Sequence, residues 1–485
     1  MQRLWLAVAC WRVFNAVVSR SFFQPDEYWQ SLEVAHEAVF SYGFKTWEWR
    51  STPNSDAMRG LNAVLNGGRG GIRSAVHPML FVPLLWSLKV LELDDTMLLV
   101  FIWLYLGCVS VAQSRARDRL LLIRDVIFIG IAALVLSTAV DTWFYGTLTV
   151  TPLRFLHENV FNSISLFYGA NASHFYLSQG LPITLMTQLP FVVHGAWLAV
   201  SMRGSAARHL AGAACFTLSA YSLLSHKEWR FIHPLMPMFS VLASMSLVRL
   251  SSNTKSKSLR SRLPIRQTHL VALLAALIPA VYLTSFHGIA QVNVMSYLRS
   301  LPPHQLHSAA FLMPCHSTPW QSHLHRRDLE EPLFGGSGQG GRLWFITCEP
   351  PIFGQNATTY KDQSDVFYDS PSTYLVERFP QDVNPGFPPS PAILPGELIQ
   401  LYERGQVPDW KHEWPSHIVL FQALVDEPVE LGLLSRVWVD HEAQNKTLGN
   451  LLASKGYVEV KRSWNSLWHE DDRRRGDVIV LQWRP

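Results

Sequence analysis

Residues 126–140 read VIFIGIAALVLSTAV and carry no charge, whereas Arg124, Asp125 and Asp141 stand at their ends. A helix crosses the hydrocarbon core of a bilayer with about 20 mostly apolar residues, and this window nearly reaches that length. The chain as a whole is 48% apolar and only 16% charged, with 18 Trp and 26 Phe. That composition is unusual for a soluble domain. The stretch therefore predicts a spanning helix of a polytopic α-helical membrane protein.

The same criterion finds other windows, and together they predict seven spans. The first window resembles a signal peptide, but Arg12 interrupts it and no small-residue cleavage site follows, so we interpret it as a signal anchor. Leu80–Leu91 is short and precedes several acids, which favours an interfacial or re-entrant segment. The predicted spans are Leu4–Val18, Met97–Ala112, Val126–Val140, Ile183–Ser201, Leu210–Leu224, Leu235–Val248 and Leu270–Thr284.

Short loops rich in Lys and Arg stay on the cytoplasmic side, which predicts the orientation. Basic residues gather at 115–124, 203–208 and 255–266, and seven crossings with a cytoplasmic N-terminus place all three inside. The Asp26 loop, residues 141–179, 225–233 and everything after 286 then share the opposite face. Glycosylation acceptors Asn171, Asn356 and Asn445 also fall there, which in a eukaryote is the lumen of the endoplasmic reticulum. The small net charge of +4 does not indicate a nucleic-acid partner.

Two adjacent carboxylates, Asp26 and Glu27, stand in the aromatic run QPDEYWQ at 24–30, directly after the first predicted span. More acid and more aromatic residues follow at Thr46-Trp47-Glu48-Trp49. Ionised carboxylates beside a bilayer are costly to keep, so they are functional candidates. A solvated loop is the alternative.

A dense polar turn, SHKEWRFIH at 225–233, lies between two apolar windows. Its His226, Lys227 and Arg230 suit a phosphodiester, and the planar guanidinium of an arginine offers two parallel hydrogen bonds. A basic turn that touches anionic lipid head groups is the alternative. The predicted lumenal placement runs against the usual distribution of basic residues, which favours a functional role.

After Phe286 the fractions of Pro, Gly and charged residues rise, and a glycine-rich linker, GGSGQGG, occupies 335–341. Apolar runs predict strands, and the region as a whole predicts a water-facing α/β domain. The predicted elements are strands at Leu343–Thr347, His417–Phe421, Tyr457–Val460 and Val478–Trp483 and a helix at Leu448–Ser454.

Cys315 and Cys348 both fall on the predicted lumenal side, where a disulfide can form. The cluster of Cys315 with His316, His323 and His325 suggests zinc as an alternative. Its spacing matches no usual structural-zinc pattern, so a structural loop with solvated histidines is favoured.

Four segments, in this order, resemble the successive motifs of the dolichol-phosphate-mannose-dependent mannosyltransferases of glycosyltransferase family 22. They are PDEYWQSLEVAHEAVFSYGFKTWEW (25–49), DTWFYGTLTVTPLRFL (141–156), SLFYGANASHFYLSQGLP (165–182) and SHKEWRFIHPLMP (225–237). The resemblance implies an endoplasmic reticulum membrane protein with the C-type glycosyltransferase fold. Residues 1–285 would form the transmembrane catalytic domain with its lumenal loops, and 286–485 a lumenal α/β domain.

The form PDEYWQSLEV, with PCHSTP (314–319) and SDVFYDSPSTYL (364–375), implies a particular reaction within that family. Mannose would pass, with inversion, from dolichol-phosphate-mannose to the second mannose of a glycosylphosphatidylinositol (GPI) anchor precursor in α-1,2 linkage. The lipid-linked donor is a substrate, and neither a cofactor nor a metal is implied. The implied roles are Asp26 as base, Glu27 as its assistant, His226, Lys227 and Arg230 on the donor phosphate, and Trp29, Asp141, Tyr145, His174 and Gln179 on substrate. For Tyr145, anchoring at the membrane interface is an equal alternative.

Other functions stay open at this stage. A mannose of a lipid-linked N-glycan precursor is an alternative acceptor, since the hydroxyls are similar. A transporter or scramblase would use Asp26, Glu27 and Lys227 as an ion pathway, although inverted repeats are not evident. The family also carries further spans, with an Arg-Thr…Asn…Glu-Thr stretch, where this chain passes directly from Arg124 to Asp141. That departure keeps a noncatalytic subunit as a third alternative.

Overall fold

A computed structural model describes most of the chain, and it divides into two compact units. The first unit is Met1–Val90, Asp141–Phe155 and Tyr282–Pro485, and the second is Leu91–Val140 and Leu156–Val281. The first unit thus combines N-terminal residues with the C-terminal region, and its last segment begins three residues before the predicted domain boundary at 285. The described residues are 19, 21–22, 28–40, 42–49, 71–76, 78–79, 116–162, 164–252, 265–329, 340–351, 359–391, 411–429, 447–469 and 471–484.

Helices account for nearly all regular structure up to residue 300. They are α1 Glu33–Phe40, α2 Ala116–Tyr145, α3 Thr151–Leu156, α4 Leu181–Leu185, α5 Leu189–Ser201, α6 Ala206–Ser222, α7 Met236–Ser252, α8 Gln267–Ala275, α9 Leu277–Ser285 and α10 Ile289–Ser300. Short π or 3-10 helices lie at Tyr28–Leu32, Trp47–Trp49, His157–Phe161, Ile164–Tyr168, Tyr176–Gly180, Met186–Gln188 and Trp229–Leu235.

Among the described residues, four helical stretches are long and apolar enough to cross a membrane: Ile123–Tyr145, Tyr176–Ser201, Trp229–Ser251 and Gln267–Ser300. Each contains one predicted span. The predicted span Leu210–Leu224 falls largely on α6, a helix of 17 residues. The predicted segments Leu4–Val18, Leu80–Leu91 and Met97–Ala112 lie outside the described residues. The chain is a polytopic helical membrane protein, and its orientation stays a prediction.

Large apolar side chains line the outside of α2. Phe128 is 74% exposed, Leu136 68% and Ile129 65%. A continuous apolar surface of this kind is not tolerated in water, but it matches the hydrocarbon of a bilayer. The exposure pattern therefore agrees with the composition of this helix.

Helices α5 and α7 approach closely at Gly195. A Cβ placed there would lie 1.9 Å from the backbone oxygen of Leu242. Across the same interface the His194 ring Nδ1 is 2.8 Å from the Ser246 hydroxyl. Small residues let membrane helices come into close contact, and polar side chains then bridge them.

Replacing Gly195 with Val should destabilise this helix pair, because the new side chain would collide with backbone that cannot move aside. Overpacking of this kind costs about 1–3 kcal/mol. The measurement is the melting temperature, and the yield of monodisperse protein, in detergent. Gly130→Val on α2 is the matched control, since no described atom lies within 4 Å of the Cβ position of Gly130. Equal melting temperatures for the two variants would contradict the prediction.

The described strands of the C-terminal region form a five-stranded sheet in the order β3-β1-β5-β7-β6, and β2 pairs with β4. The three strands β1, β3 and β5 are parallel, while β7 runs antiparallel to β5 and β6. Strands and helices here are β1 Ala309–Phe311, α11 Gln321–Leu324, β2 Gly340–Gly341, β3 Leu343–Phe345, α12 Gln363–Asp369, α13 Pro371–Arg378, β4 Ser390–Pro391, β5 His417–Phe421, α14 Gln422–Val425, α15 Leu448–Ser454, β6 Tyr457–Ser463 and β7 Val478–Trp483.

Both faces of the sheet are buried, and successive residues of β5 alternate between them. Ile418 and Leu420 belong to one core with Trp344. Val419 and Phe421 belong to the other. Every side chain of β5 is buried, as expected for a central strand covered on two faces. The second core also contains Trp29 and Phe44 from the N-terminal part of the chain.

Candidate active site

The predicted base Asp26 and its neighbour Glu27 lie outside the described residues, so their roles stay predictions. Trp29 follows them closely in sequence and is only 2% exposed. Its indole N–H donates to the backbone oxygen of Thr318 at 3.0 Å. Its ring lies against those of Trp320 and Phe345. The structure thus gives Trp29 a packing contact, and its substrate contact stays a prediction.

Glu48 is the centre of a partly exposed polar cluster in the first unit. Its carboxylate accepts hydrogen bonds from the Thr46 hydroxyl at 2.6 Å and from the Gln30 amide at 3.2 Å. The Arg73 guanidinium donates to the same carboxylate at 3.3 Å, and the Glu48 side chain retains 12% exposure. Carboxylate, amide and guanidinium groups in this combination suit sugar hydroxyls. The sequence indicated Glu48, but nothing in the sequence pointed to Arg73.

Asp141 and Tyr145 lie one turn apart at the end of α2, and both form hydrogen bonds with the segment 71–76. The Asp141 carboxylate is fully buried and accepts from the Ser74 hydroxyl at 2.9 Å and the Ala75 N–H at 2.7 Å. The Thr151 hydroxyl donates to its other oxygen. The Tyr145 hydroxyl donates to the Arg73 backbone oxygen at 2.6 Å. Both side chains therefore form hydrogen bonds within the protein, Asp141 as acceptor and Tyr145 as donor, and their predicted substrate contacts stay untested.

In the second unit, Lys227 is a buried cation, with 3% exposure. Its ammonium donates to the Asn171 backbone oxygen at 2.8 Å, and the Asn171 side-chain amide donates back to the Lys227 backbone oxygen at 2.8 Å. Within the described part of the chain, no carboxylate forms an ion pair with this ammonium. Buried charges are normally paired, and the contact of this ammonium in the described part of the chain is a neutral carbonyl, so Lys227 stays a candidate for the predicted phosphate contact.

His226 and Arg230 flank Lys227 and share one carboxylate. The Glu228 side chain lies 3.1 Å from the His226 Nε2 and 2.6 Å from the Arg230 Nε. The hydrogen bond to Glu228 raises the pKa of His226 above its usual 6.5, because the bond favours the protonated ring. The His226 Nδ1 also lies 3.0 Å from the Gly169 backbone oxygen. The turn thus carries more positive than negative charge.

The segment 169–180 lies beside this turn, as the contacts of Gly169 and Asn171 show. His174 and Gln179 are both exposed on it, and the His174 Nδ1 is 2.9 Å from the Ser178 hydroxyl. The predicted donor-phosphate residues and these two substrate candidates are thus carried by adjacent segments of one unit. Their roles stay predictions.

Asn171, the first predicted glycosylation acceptor, is partly buried, and its amide is committed to the Lys227 backbone oxygen. The structure therefore assigns it a contact with the turn at 225–233, which we call the cation turn, whereas its glycosylation stays a prediction. The other two acceptors, Asn356 and Asn445, lie outside the described residues.

Cys315 and Cys348 form a disulfide with a Cα–Cα distance of 5.8 Å. The bond joins the loops that follow β1 and β3. A chain-entropy account gives a bond of this loop length about 3–4 kcal/mol of stabilisation. The zinc alternative placed Cys315 with His316, His323 and His325. Of these histidines, His316 alone lies with Cys315 and Cys348 in a possible ligand group among the described residues. The two sulfur atoms are bonded to each other, and the four residues of the zinc alternative do not form one ligand group within the described part of the chain.

A family model matches residues 3–65 and 96–325, more than half of the chain. Its description is the Alg9-like mannosyltransferase family. This chain belongs to the Alg9-like mannosyltransferase family. The matched residues include the Asp26 loop, the Asp141 and Tyr145 pair, the cation turn and the loop after β1. The resemblance found in the sequence motifs is thereby confirmed.

Curated relatives share one printed name. The chain is 31% identical to "GPI mannosyltransferase 3" of Emericella nidulans, and the match covers 97% of this chain and 76% of the relative. It is 34% identical to the Aspergillus fumigatus protein of that name over 79% of this chain and 49% of the relative. It is 28% identical to the Drosophila melanogaster protein of that name over 78% of this chain and 77% of the relative. No solved structure matches the chain.

Proposed function

We propose that this chain is a mannosyltransferase of GPI-anchor synthesis in the endoplasmic reticulum membrane. The observation that carries the proposal is the match to GPI mannosyltransferase 3 of Emericella nidulans over 97% of this chain. The proposed donor is dolichol-phosphate-mannose, and the proposed acceptor is the second mannose of the anchor precursor. The product linkage is α-1,2, with inversion, and the active site faces the lumen.

In the proposed mechanism, an acceptor hydroxyl attacks the anomeric carbon of the donor mannose. The new carbon–oxygen bond forms as the bond from that carbon to the phosphate oxygen breaks. The Asp26 carboxylate takes the hydroxyl proton, and the bonding electron pair leaves with the lipid phosphate. Such a reaction requires a base that takes the hydroxyl proton and cations that stabilise the charge on the leaving phosphate.

The cation turn supports the phosphate half of this mechanism. Lys227 is buried, and its ammonium meets a carbonyl oxygen in the described structure. A phosphodiester carries one negative charge, which Lys227, Arg230 and a protonated His226 would balance. The C-type glycosyltransferase fold is part of the proposal, and no cofactor is assigned.

Complementation tests the reaction directly. The full chain is expressed in cells that lack the third-mannose enzyme of the anchor pathway. We expect surface display of anchored proteins to return and the two-mannose precursor lipid to disappear. Persistent precursor, at normal abundance of this chain in the membrane, would contradict the proposal. Rescue of cells deficient in an N-glycan mannosyltransferase would instead assign the alternative acceptor.

A further inference from the structure

The carboxyl ends of β1, β3 and β5 meet at one edge of the sheet in the first unit. Strand β1 lies between β3 and β5, so the chain leaves β1 toward one neighbour and later returns to the other side. In open α/β sheets, such a reversal opens a crevice at the carboxyl ends, where ligands usually bind. Here the loops beside the crevice are joined by the Cys315–Cys348 disulfide.

Trp29 of the same chain packs at the carboxyl ends of β1 and β3, with Phe311 and Phe345. Its ring centroid lies 4.7 Å from that of His316 and 5.0 Å from that of Phe345. Its N–H donates to Thr318, 289 residues away in sequence. The cavity left around these residues measures about 10 Å³, room for about one water molecule. The position that usually takes a ligand therefore holds the segment that follows the two predicted catalytic carboxylates.

Glu33, one turn after Trp29, forms a second contact between the N-terminal part of the chain and the region around the sheet. The side chain is buried, with 1% exposure. Its carboxylate accepts from the backbone N–H of Ser322 at 2.8 Å and of Gln321 at 3.1 Å, both in α11. The Phe44 N–H, at 3.4 Å, approaches from the other side. The three N–H groups come from two separate parts of the chain.

Burial of this carboxylate has a cost, which raises the pKa of Glu33 to about 7. Gly43 shows how closely the chain surrounds it: a Cβ at Gly43 would lie 2.9 Å from the Glu33 Oε1, and the Gly43 φ of +136° disfavours other residues. An apolar residue at position 33 would avoid the desolvation cost but would leave the backbone N–H groups unsatisfied.

We propose that Glu33 is a positioning residue for mannosyl transfer: it fastens α1 to α11 and so holds in place the residues that follow Asp26 in the chain. The inference rests on the proposed function. Asp26 stands three residues before Trp29. A chain of that length reaches at most ~11 Å, so Trp29 and Glu33 together confine the base. Glu33 touches neither substrate nor reacting atoms in this account.

The test compares Glu33→Gln with Glu37→Gln in membranes that contain the full chain. Glu37 is on the same helix and forms an ion pair with Lys45 at 2.9 Å on the partly exposed side. Initial rates are measured against donor concentration and divided by the amount of folded protein. We expect Glu33→Gln to lower kcat at least ~10-fold with donor KM within ~2-fold, since effective orientation governs kcat. Glu37→Gln should leave both unchanged.

Two milder variants test the same inference if Glu33→Gln does not fold. Glu33→Asp keeps the charge on a shorter side chain and should retain more of kcat. Gly43→Ala displaces the carboxylate without removing it and should lower kcat in the same way. Normal kcat per folded molecule in Glu33→Gln and Gly43→Ala, or an equal loss in Glu37→Gln, would overturn the inference.

Failure of the proposed function has a different signature. If the wild-type chain itself transfers no mannose to the two-mannose precursor, the reaction assignment fails. The melting temperature in detergent still tests the attachment, because Glu33→Gln should melt below Glu37→Gln whatever the reaction is. Active wild type with normal kcat in Glu33→Gln would reject the positioning role alone.

Discussion

Asp26→Asn should lower the rate of mannosyl transfer by ~10²–10⁴-fold, the usual contribution of a general base. An amide keeps the size of the side chain but cannot accept the proton of the attacking hydroxyl. The donor phosphate, which we assign to His226, Lys227 and Arg230, should bind as before. We therefore expect the loss in kcat, with donor KM nearly unchanged.

The measurement uses membranes, dolichol-phosphate-mannose and the two-mannose anchor lipid, with abundance checked for every variant. Glu27→Gln distinguishes the two neighbouring acids and should cost less than Asp26→Asn. A large loss in Glu27→Gln and a small one in Asp26→Asn would transfer the base role to Glu27. Near-normal rates in both variants would remove this pair from the mechanism.

Local patterns in the sequence predicted much of the secondary structure. The predicted strands at His417–Phe421 and Val478–Trp483 have the same bounds as β5 and β7. Both are apolar runs of strand length, typical of central strands. The predicted helix Leu448–Ser454 also has the bounds of α15. Strand β1, only three residues long, was missed because so short a run carries no periodicity.

The contacts of Trp29 with the loop after β1 and of Glu33 with α11 had no comparable signal in the sequence. Trp29 and Glu33 are four residues apart, which places them on one helical face. That spacing does not say which surface the face meets. The partners Thr318 and Ser322 are each 289 residues away from Trp29 and Glu33. Such contacts depend on the sheet topology, which a single sequence does not provide.

The candidate phosphate site was easier to predict, because its cations stand together at 226–230. The sequence did not reveal which group each of these cations contacts. Glu228 engages His226 and Arg230. Lys227 turns instead to the Asn171 backbone oxygen, 56 residues away. Among the described contacts of these three cations, that of Lys227 is therefore the one without a carboxylate.

Lys227→Met should lower kcat/KM for the donor by ~10²–10³-fold, the effect of losing one electrostatic contact to a developing anion. Methionine preserves the length and the apolar stem, so the change removes the charge with little loss of packing. Arg203→Met is the control, since Arg203 is exposed on a predicted cytoplasmic loop and its loss changes the net charge equally. The same membrane assay, at several donor concentrations, measures both.

The melting temperature of Lys227→Met should not fall with its transfer rate. Lys227 is 3% exposed and its ammonium meets a neutral carbonyl, so the folded protein bears much of the desolvation cost of the charge. Lys227→Met removes that cost and should keep or raise the melting temperature while transfer falls. A residue kept only for structure would lose stability and activity together. Normal transfer in Lys227→Met, or a loss matched by Arg203→Met, would contradict the phosphate role.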